Sequence, residues 1–232
     1  MSSELIQHAL IMAAGRGNRM RPLTDVLPKP LVAYKGDTLI GNSLKSLTGQ
    51  VAHIHVTVGY KKATLSEYLM TRGGVDSIIN TEGYGNAWWI QHTLLQYVDE
   101  PILVLTTDNI TELDLSFFSS EYQRLGSPAC MLIPVQPVPG VDGDYIEHDD
   151  GMVISLQRLQ PKEMYCSGIQ VLNPKSIYRY IEDDFDDFSI VWERLICMRK
   201  LLVSQVYPKH WFSIDTLEQL LGAENIGMAD NK

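Results

Sequence analysis

The chain has 232 residues, of which 45% are hydrophobic and 20% are charged, values ordinary for one large globular α/β domain. Its formal net charge of −9 disfavours broad binding to nucleic acid or anionic membranes, and no apolar run approaches the ~18 residues of a membrane span. No basic region precedes the first apolar run, so no signal peptide is expected, and Cys130, Cys166 and Cys197 lack metal or redox spacing, which favours a reducing cytoplasm.

In the first half of the chain, short apolar strands alternate with helices of about ten residues. The predicted strands are residues 8–12, 53–58, 76–80 and 101–107. The predicted helices are residues 38–47, 61–70 and 86–98. This alternation predicts a parallel sheet with βαβ crossovers, in which ligands lie beyond the carboxyl ends of the strands. His53 and His55 are expected to face one side of this sheet, with no partner nearby for metal binding.

From Pro128 onward the pattern becomes more antiparallel. A hairpin is predicted from residues 144–148 and 153–159, around Asp149-Asp150-Gly151. Further strands are predicted at residues 129–135, 164–172, 201–207 and 211–214, and further helices at residues 174–181, 185–198 and 216–225. No linker, internal repeat or low-complexity segment divides the chain.

A glycine-rich loop follows the first predicted strand, at residues 13–18. Small residues let the backbone turn sharply and approach a ligand, and the freed N–H groups form an anion-binding nest. Arg19, Arg21 and Lys29 add three cations, so the segment predicts a polyphosphate site. No Lys-Ser or Lys-Thr follows the glycines, and Met20 stands where a dinucleotide fingerprint needs its third glycine. A simple tight turn with solvated charges would explain the glycines and Arg19, but not the prolines and cation that follow.

The full pattern is Gly15-x-Gly17-x-Arg19, then Arg21-Pro22-Leu23-Thr24, then Pro28-Lys29-Pro30-Leu31. It closely resembles the signature of the sugar-1-phosphate nucleotidylyltransferases, in particular the small bacterial branch acting on hexose, heptose or N-acetylmuramate 1-phosphates. The bacterial phosphocholine cytidylyltransferases share this signature. The resemblance continues, more weakly, to about residue 226.

The resemblance implies a Rossmann-like α/β fold: a mixed, mainly parallel sheet flanked by helices, of the nucleotide-diphospho-sugar transferase type, with a smaller antiparallel subregion on the acceptor side. We expect one domain over residues 1–232, with a nucleotide-binding half at about 1–127 and an acceptor-binding half at about 128–232.

The resemblance also implies roles for the signature residues. Arg19 would carry the nucleotide phosphates and stabilise charge in the transition state, and Lys29 would bind the acceptor phosphate. The backbone of the loop would hold the triphosphate and base; the loop consists of Ala13, Ala14, Gly15, Arg16, Gly17 and Asn18.

Nucleotidyl transfer by an already ionised phosphate needs positioning and charge neutralisation rather than a general base, and Mg²⁺ supplies part of the neutralisation. Asp108, at the end of a predicted strand, matches the family's metal and nucleotide-site aspartate, with a turn-forming role as the alternative. Asp215 lies in a segment similar to the family's W-x-D-x-G-T ending and is the second metal candidate. Asp215 with Glu218 also fits an N-capping box, and one residue could do both.

The base is expected to lie against Gly83, Gly85 and Asn86. The glycines would let the backbone read the base edge, and the Asn86 amide offers both a donor and acceptors. The alternative for Asn86 is an N-cap of the helix that it opens. Adjacent Trp88 and Trp89 point about 100° apart on a helix, so one is expected in the core while the other, taken as Trp88, is a candidate for the acceptor pocket.

The acceptor side matches the family only in part. Gly168 matches a glycine that the family places before a strand. The family's Glu-Lys-Pro step is absent, which leaves Arg158 and Lys162 as the available cations for the acceptor phosphate, with plain surface charge as the alternative for each.

The sequence therefore predicts a Mg²⁺-dependent nucleotidylyltransferase that joins a nucleoside triphosphate to a phosphorylated small molecule, with a sugar 1-phosphate favoured and pyrophosphate released. Such products typically feed cell-envelope polysaccharide synthesis. A cytidylyltransferase for phosphocholine or another phosphorylated alcohol is the enzyme alternative, because aromatic faces such as the tryptophan pair bind quaternary ammonium groups. A non-catalytic nucleotide-binding subunit is a second alternative. The base, the acceptor, the pathway and a homo-oligomeric state are left open.

Overall fold

The structure of the protein is a computed structural model that describes residues 5–141 and 143–229. Its strands are β1 (His8–Met12), β2 (Ala33–Tyr34), β3 (Asp37–Thr38), β4 (His53–Val58), β5 (Ser77–Asn80), β6 (Ile102–Thr106), β7 (Asn109–Ile110), β8 (Cys130–Val135), β9 (Tyr145–Asp149), β10 (Met152–Gln157), β11 (Met164–Leu172), β12 (Leu201–Val203) and β13 (Phe212–Ser213).

Helices flank these strands. They are α1 (Leu23–Val26), α2 (Leu39–Leu47), α3 (Lys62–Arg72), α4 (Trp89–His92), α5 (Leu115–Arg124), α6 (Pro174–Tyr180), α7 (Phe188–Cys197) and α8 (Leu217–Ala229). Single 3₁₀ turns occur at Asn18–Met20, Lys29–Leu31 and Leu94–Tyr97. Within the described ranges, no helix has the length and apolar character needed to cross a membrane.

One nine-stranded sheet runs through the molecule in the order β5-β4-β1-β6-β11-β8-β12-β10-β9. The strands β5, β4, β1 and β6 are mutually parallel, whereas β11 is antiparallel to both of its neighbours, β6 and β8. The hairpin β9–β10 closes the far side, and β9 also pairs with the start of β11. The predicted mixed, mainly parallel sheet with an antiparallel second half is confirmed.

The register brings the ends of three strands level. Met12, the last residue of β1, lies opposite Thr57 of β4 and Thr106 of β6. Because these strands are parallel, the segments that leave them emerge at one edge of the sheet. The glycine loop after β1 and Asp108 after β6 therefore begin side by side, as the sequence predicts.

Apolar side chains cover both faces of the sheet. Along β1, Ala9 and Ile11 enter one core and Leu10 enters the other, because successive side chains of a strand point to opposite faces. The first core packs under α2, α3 and α5, and the second under α4, α6 and α7. A third, smaller cluster packs Met20 of the signature segment against Ile214 and Leu220, which fastens the start of α8 beside the glycine loop.

The helix predicted at residues 86–98 is wrong in extent. The chain forms only the short α4 and then a 3₁₀ turn, with Thr93 between them. The Thr93 hydroxyl donates to Trp89 O at 2.8 Å and accepts from Leu95 N at 3.2 Å. A threonine that bonds the backbone on both sides in this way competes with helical hydrogen bonds.

The strand predicted at residues 201–207 is also shorter, ending at Val203, and the helix predicted from residue 185 begins at Phe188, where Asp187 caps it.

His53 and His55 nevertheless have side-chain neighbours that the sequence did not indicate. His8 Nδ1 lies 3.1 Å from His55 Nε2, and the His8 ring stacks on His53 with centroids 4.7 Å apart. His53 Nδ1 lies 3.4 Å from Asp76 Oδ1. The sequence missed this cluster because His8 reaches it from a neighbouring strand. Within the described part of the chain, no group of three or more His, Cys, Asp or Glu side chains could hold a metal ion.

Candidate active site

The glycine loop is held over Lys29. Ala13 N donates to Thr57 Oγ1 at 3.1 Å, and Tyr60 N donates to Ala14 O at 3.0 Å, so the loop leaves β1 along the end of β4. Gly17 adopts φ +65°, and a Cβ there would lie 2.9 Å from the Lys29 Cβ. Glycine is therefore required at this position both by backbone conformation and by the close passage of Lys29.

Lys29 joins two carboxylates from distant parts of the chain. Its Nζ lies 2.6 Å from Asp108 Oδ2 and 2.8 Å from Asp215 Oδ1, and only 10% of the lysine side chain is exposed. Arg19 Nη2 lies 3.0 Å from the same Asp215 oxygen, with more than half of its side chain exposed. The four side chains that the sequence singles out as catalytic or metal-binding thus form one contiguous ionic cluster.

The pairing of two short strands explains how Asp108 and Asp215 meet. Strand β13 pairs with β7 in antiparallel register, and Ile214 N donates to Asp108 O at 3.1 Å. Asp108 directly precedes β7, and Asp215 follows β13 after one residue, Ile214. Burial works to raise the pKa of Asp215, but the charge and hydrogen bond of Lys29, the charge of Arg19 and the Ser213 hydroxyl outweigh it and lower the pKa. Asp215 is therefore ionised at neutral pH.

The capping alternative for Asp215 is wrong, because the cap lies one residue later. Thr216 Oγ1 accepts from Gln219 N at 3.1 Å, and Gln219 Oε1 accepts from Thr216 N at 3.0 Å. This reciprocal pair is a capping box. Gln219 Oε1 also accepts from Asp215 N at 2.7 Å. The Asp215 carboxylate takes no part in the cap and faces the cations.

The two carboxylates fit a divalent cation by their chemistry. Mg²⁺ takes hard oxygen ligands and is usually bound through one or two carboxylates together with substrate phosphate and water. Asp108 and Asp215 converge on one cation, the Lys29 ammonium, at the wall of an open cavity. These two residues are the ones that would hold the metal, with ligand oxygens completing its coordination.

The cavity beside this cluster has a volume of about 730 Å³. It extends from the glycine loop, past the ends of β4 and β6, to the segment at residues 81–86. Its lining includes the predicted site residues Ala13, Ala14, Gly15, Arg16, Gly17, Asn18, Arg19, Lys29, Gly83, Gly85, Asn86, Asp108 and Asp215.

Sequence reasoning missed Thr57, Tyr60 and Tyr84, which also line this cavity. Tyr60 carries the Arg16 guanidinium over its ring, 5.1 Å from the centroid. Their position in the sequence could have identified Thr57 and Tyr60. Residues 57–60 span the carboxyl end of a predicted strand beside β1, and ligands of parallel sheets lie at this edge.

The segment at residues 85–87 is fastened to the start of α7. Gly85 N donates to the Asp186 carboxylate at 2.7 Å, and Ala87 N donates to Asp186 O at 2.9 Å. Asn86 Oδ1 accepts from Phe188 N at 2.8 Å. A Cβ on Gly85 would collide with Asp186. Asn86 therefore accepts from the first residue of α7, beside its cap Asp187, rather than from the helix that follows Asn86 in sequence, so the capping alternative for that helix is wrong.

Of the predicted acceptor residues, three lie outside both cavities described for the structure. Trp88 is half-buried and stacks between Tyr84 and His92, with centroid distances of 4.3 and 4.7 Å. Arg158 pairs with Asp144 at 2.9 Å, and Lys162 pairs with Glu147 at 3.1 Å, both on the β9–β10 hairpin.

The two remaining predictions concern Trp89 and Gly168. Trp89 is fully buried, as expected for one of the adjacent tryptophans. Gly168, with φ +80°, lines a second cavity of about 170 Å³. This small cavity adjoins the large one, because Met12, Asn86 and Thr106 line both.

A glycine loop at the end of parallel strands, beside a cation–carboxylate cluster in a large cavity, is the arrangement expected of an α/β protein that binds a phosphorylated ligand. The chain belongs to the nucleotidyl transferase family: the family profile of that description matches residues 8–162.

Two curated relatives extend this match. N-acetylmuramate alpha-1-phosphate uridylyltransferase from Neisseria meningitidis serogroup B is 30% identical over 156 residues, covering 59% of this chain and 63% of that protein. The bifunctional protein GlmU from Methanocaldococcus jannaschii is 32% identical over 110 residues, covering 47% of this chain and 27% of that protein. The chain thus spans only about a quarter of the length of the GlmU proteins that it matches.

Among solved structures, the CTP:phosphocholine cytidylyltransferase from Streptococcus pneumoniae aligns with a TM-score of 0.75 at 20% identity, covering 94% of this chain and 98% of that one. At this level of identity the alignment shows a shared fold.

Proposed function

We propose that the protein is a divalent-metal-dependent nucleotidylyltransferase that transfers a nucleoside monophosphate from a nucleoside triphosphate to a phosphorylated small molecule, with a sugar 1-phosphate as the favoured acceptor. The observation that carries this proposal is the cluster of Arg19, Lys29, Asp108 and Asp215 at one edge of the large cavity. A site that only bound a nucleotide would not require all four groups together, which argues against a non-catalytic subunit.

In the proposed reaction, an ionised phosphate oxygen of the acceptor forms a bond to the α-phosphorus, and the bond from that phosphorus to the bridging oxygen breaks, releasing pyrophosphate. Arg19, which is largely exposed toward the cavity, neutralises charge on the triphosphate and on the transition state. Lys29 supplies a second fixed charge for the acceptor phosphate.

The loop backbone and Tyr60 position the triphosphate, and residues 83–86 lie where the base is read. Mg²⁺ held by Asp108 and Asp215 would neutralise phosphate charge during the displacement. No side chain has to remove a proton, because the nucleophile is already an anion.

The relatives support a sugar 1-phosphate, since the Neisseria meningitidis relative is named for one. Phosphocholine is the second candidate, supported by the Streptococcus pneumoniae structure. Trp88, the tryptophan that favoured phosphocholine in the sequence, is half-buried and stacks on Tyr84, which lines the large cavity, and on His92. We further propose that the enzyme is cytoplasmic. We also propose that its acceptor-binding half begins near residue 128, and that Asp215 from this half contributes to the nucleotide site.

The test is pyrophosphate release from each of CTP, UTP, GTP, ATP and dTTP against sugar 1-phosphates and phosphocholine, with and without Mg²⁺. We expect release with one acceptor class, dependence on the metal, and loss of most activity in Lys29→Ala. The matched control is Lys175→Ala, which removes a surface lysine paired with Asp99 at 2.8 Å. Equal activity in the two variants would contradict the assignment of Lys29.

A further inference from the structure

Gln219, in the first turn of α8, joins three separate backbone positions through one side-chain amide. Its Oε1 accepts from Asp215 N at 2.7 Å and from Thr216 N at 3.0 Å, and its Nε2 donates to Gly140 O at 2.9 Å. A backbone N–H can only donate, so the amide atom that meets both N–H groups is the oxygen. The orientation of the amide is therefore fixed by its neighbours.

Only one of these three hydrogen bonds is needed to cap the helix. In a capping box, the third helical residue accepts from the backbone N–H of the cap, and Gln219 does so with Thr216. The bond from Asp215 N reaches one residue beyond the cap, and it is the shorter of the two that Oε1 accepts. The bond to Gly140 O leaves the helix altogether. Helix capping therefore does not account for two of the three contacts.

Asp215 is held at both ends by the residues around it. One of its carboxylate oxygens meets Lys29 and Arg19, and the other accepts from the Ser213 hydroxyl at 3.1 Å. Its backbone N–H is held by Gln219. Only Cα separates this N–H group from the side chain, so a backbone that turned here would carry the carboxylate with it. Mg²⁺ demands near-ideal octahedral geometry, which makes its affinity sensitive to such a change.

The contact with Gly140 anchors the amide to the loop after β8. Strand β11 is antiparallel to both β6 and β8, so β8 ends at the same edge of the sheet as β6. The loop with Gly140 therefore leaves the sheet at the edge where Asp108 lies. Val138 and Val141 of this loop pack against the first core. An amide that is held at both its oxygen and its nitrogen is less free to rotate than one held at a single atom.

From these contacts we propose that Gln219 is a positioning residue for Asp215: its amide holds the backbone of this aspartate so that the carboxylate can bind a divalent cation together with Asp108. This rests on the proposed function, in which the two aspartates are the metal ligands, and deepens it. Gln219 is not among the residues that line either cavity. Its effect on metal binding is therefore transmitted by Asp215.

The test compares Gln219→Met with Thr216→Ala. Gln219→Met keeps the length of the side chain but loses all three hydrogen bonds, whereas Thr216→Ala opens the capping box from its other side and keeps the bond from Asp215 N. We expect both variants to melt at a lower temperature than the wild type. Only Gln219→Met should raise the Mg²⁺ concentration that gives half-maximal pyrophosphate release, by roughly three- to tenfold, the scale of one lost hydrogen bond.

Binding of Mn²⁺ to the protein alone is a second readout, and it needs no turnover. Electron paramagnetic resonance of free Mn²⁺ gives the dissociation constant, which should rise roughly three- to tenfold in Gln219→Met and stay at the wild-type value in Thr216→Ala. Gln219→Glu restores an oxygen for both backbone N–H groups, and its added charge does not oppose a cation. This variant should therefore bind Mn²⁺ at least as tightly as the wild type.

Unchanged Mg²⁺ and Mn²⁺ values in Gln219→Met, or weaker Mn²⁺ binding in Gln219→Glu, would overturn the inference. An equal shift in Thr216→Ala would also overturn it, because the helix cap would then control the metal. If Gln219→Met does not fold, Gln219→Asn replaces it with the same expected shift, since its amide is one methylene shorter and is withdrawn from Asp215 N. Absence of pyrophosphate release by the wild type with every acceptor would overturn the proposed function, whereas the Mn²⁺ comparison would still decide the role of Gln219.

Discussion

Lys29 carries a compact charge between two carboxylates. Replacing it by Ala or by Arg tests separately whether the charge and the shape of its ammonium group are needed. Lys29→Ala leaves Asp108 and Asp215 facing each other in a mostly buried position, so we expect both lost activity and lower stability, by about 1–3 kcal/mol. Lys29→Arg keeps the charge, but a planar guanidinium cannot take the place of a compact ammonium at 2.6 and 2.8 Å from two oxygens. Full activity in Lys29→Arg, measured by pyrophosphate release, would contradict this geometry.

Asp215 and Thr216 are neighbours with separable roles. Thr216→Ala removes the cap of α8 and should cost about 1 kcal/mol of stability with activity largely kept. Asp215→Asn leaves the capping box intact but removes an anionic ligand, so we expect activity to collapse, and any loss of stability to come from the ion pairs with Lys29 and Arg19 rather than from the cap.

Thermal unfolding and a Mg²⁺ titration of activity measure both effects. Ordinary Mg²⁺ dependence and turnover in Asp215→Asn would show that Asp108 holds the metal without it.

Much of this site could be predicted from local sequence, because the signature residues Arg19 and Lys29 lie close together in the chain and Asp108 ends a strand. Asp186 could not be predicted, because it acquires its partners from a segment about 100 positions earlier in the sequence.

At the scale of elements, the contact between residues 85–87 and the start of α7 links the large cavity, the proposed nucleotide site, to the small cavity beside it. Gly85→Ala introduces a methyl group that collides with Asp186. Because Asn86 lines both cavities, we expect KM to rise for both substrates, by roughly three- to tenfold, the scale of one lost hydrogen bond.

Gly222→Ala, at a position with open space in α8, is the control and should leave KM unchanged. A change confined to one substrate in Gly85→Ala would mean that the two subsites move independently.

The histidine cluster at the opposite edge of the sheet predicts acid sensitivity. Burial, together with the charges of His8 and His53 and against that of Asp76, lowers the pKa of His55 from 6.5 to about 4. Glu100 and Ser77 also face the cluster. Between these two pH values the unfolded chain binds more protons than the folded chain, so stability is complete above pH 6.5 and falls as the pH drops toward 4.

The free energy of unfolding should fall by on the order of 2–3 kcal/mol as the pH drops through this range. His55→Gln should make the melting temperature less dependent on pH between about 4 and 6.5. His210→Gln, at an exposed position, should not change that dependence. An unchanged pH profile in His55→Gln would assign the acid sensitivity elsewhere.

The elements with clear periodicity could be predicted to within a few residues, because apolar spacing determines which face is buried. The helix expected at residues 86–98 could not, since its interruption depends on one threonine hydroxyl and on docking against α6 and α7. Strand β12 ends at Val203, opposite Leu132 of β8, although Tyr207 N still donates to Pro134 O of that strand at 2.8 Å.

At the scale of the whole molecule, the two sequence halves share one sheet. Strand β11 from the second half pairs with β6 from the first, with Val104 opposite Gln170 and Leu103 opposite Val171. We expect a fragment of residues 1–127 to aggregate or remain unfolded, because it exposes β6 as an unpaired apolar edge.

The full chain should unfold in one transition, with calorimetric and van't Hoff enthalpies in agreement. Two transitions, or a fragment with native-like circular dichroism, would show that the halves fold independently.

The fastening of Gly85 and Asn86 to Asp186 and Phe188 also limits how the enzyme can be re-engineered. Loops that read the base are natural units for exchange between related proteins, yet the loop to which we assign that role makes three hydrogen bonds with a segment far along the chain. A chimera that imports residues 82–88 alone would place a new loop against an unmatched α7. The transplantable unit is the pair of segments 82–91 and 181–188 together, so exchanging the proposed base-reading loop also exchanges the segment that leads into α7.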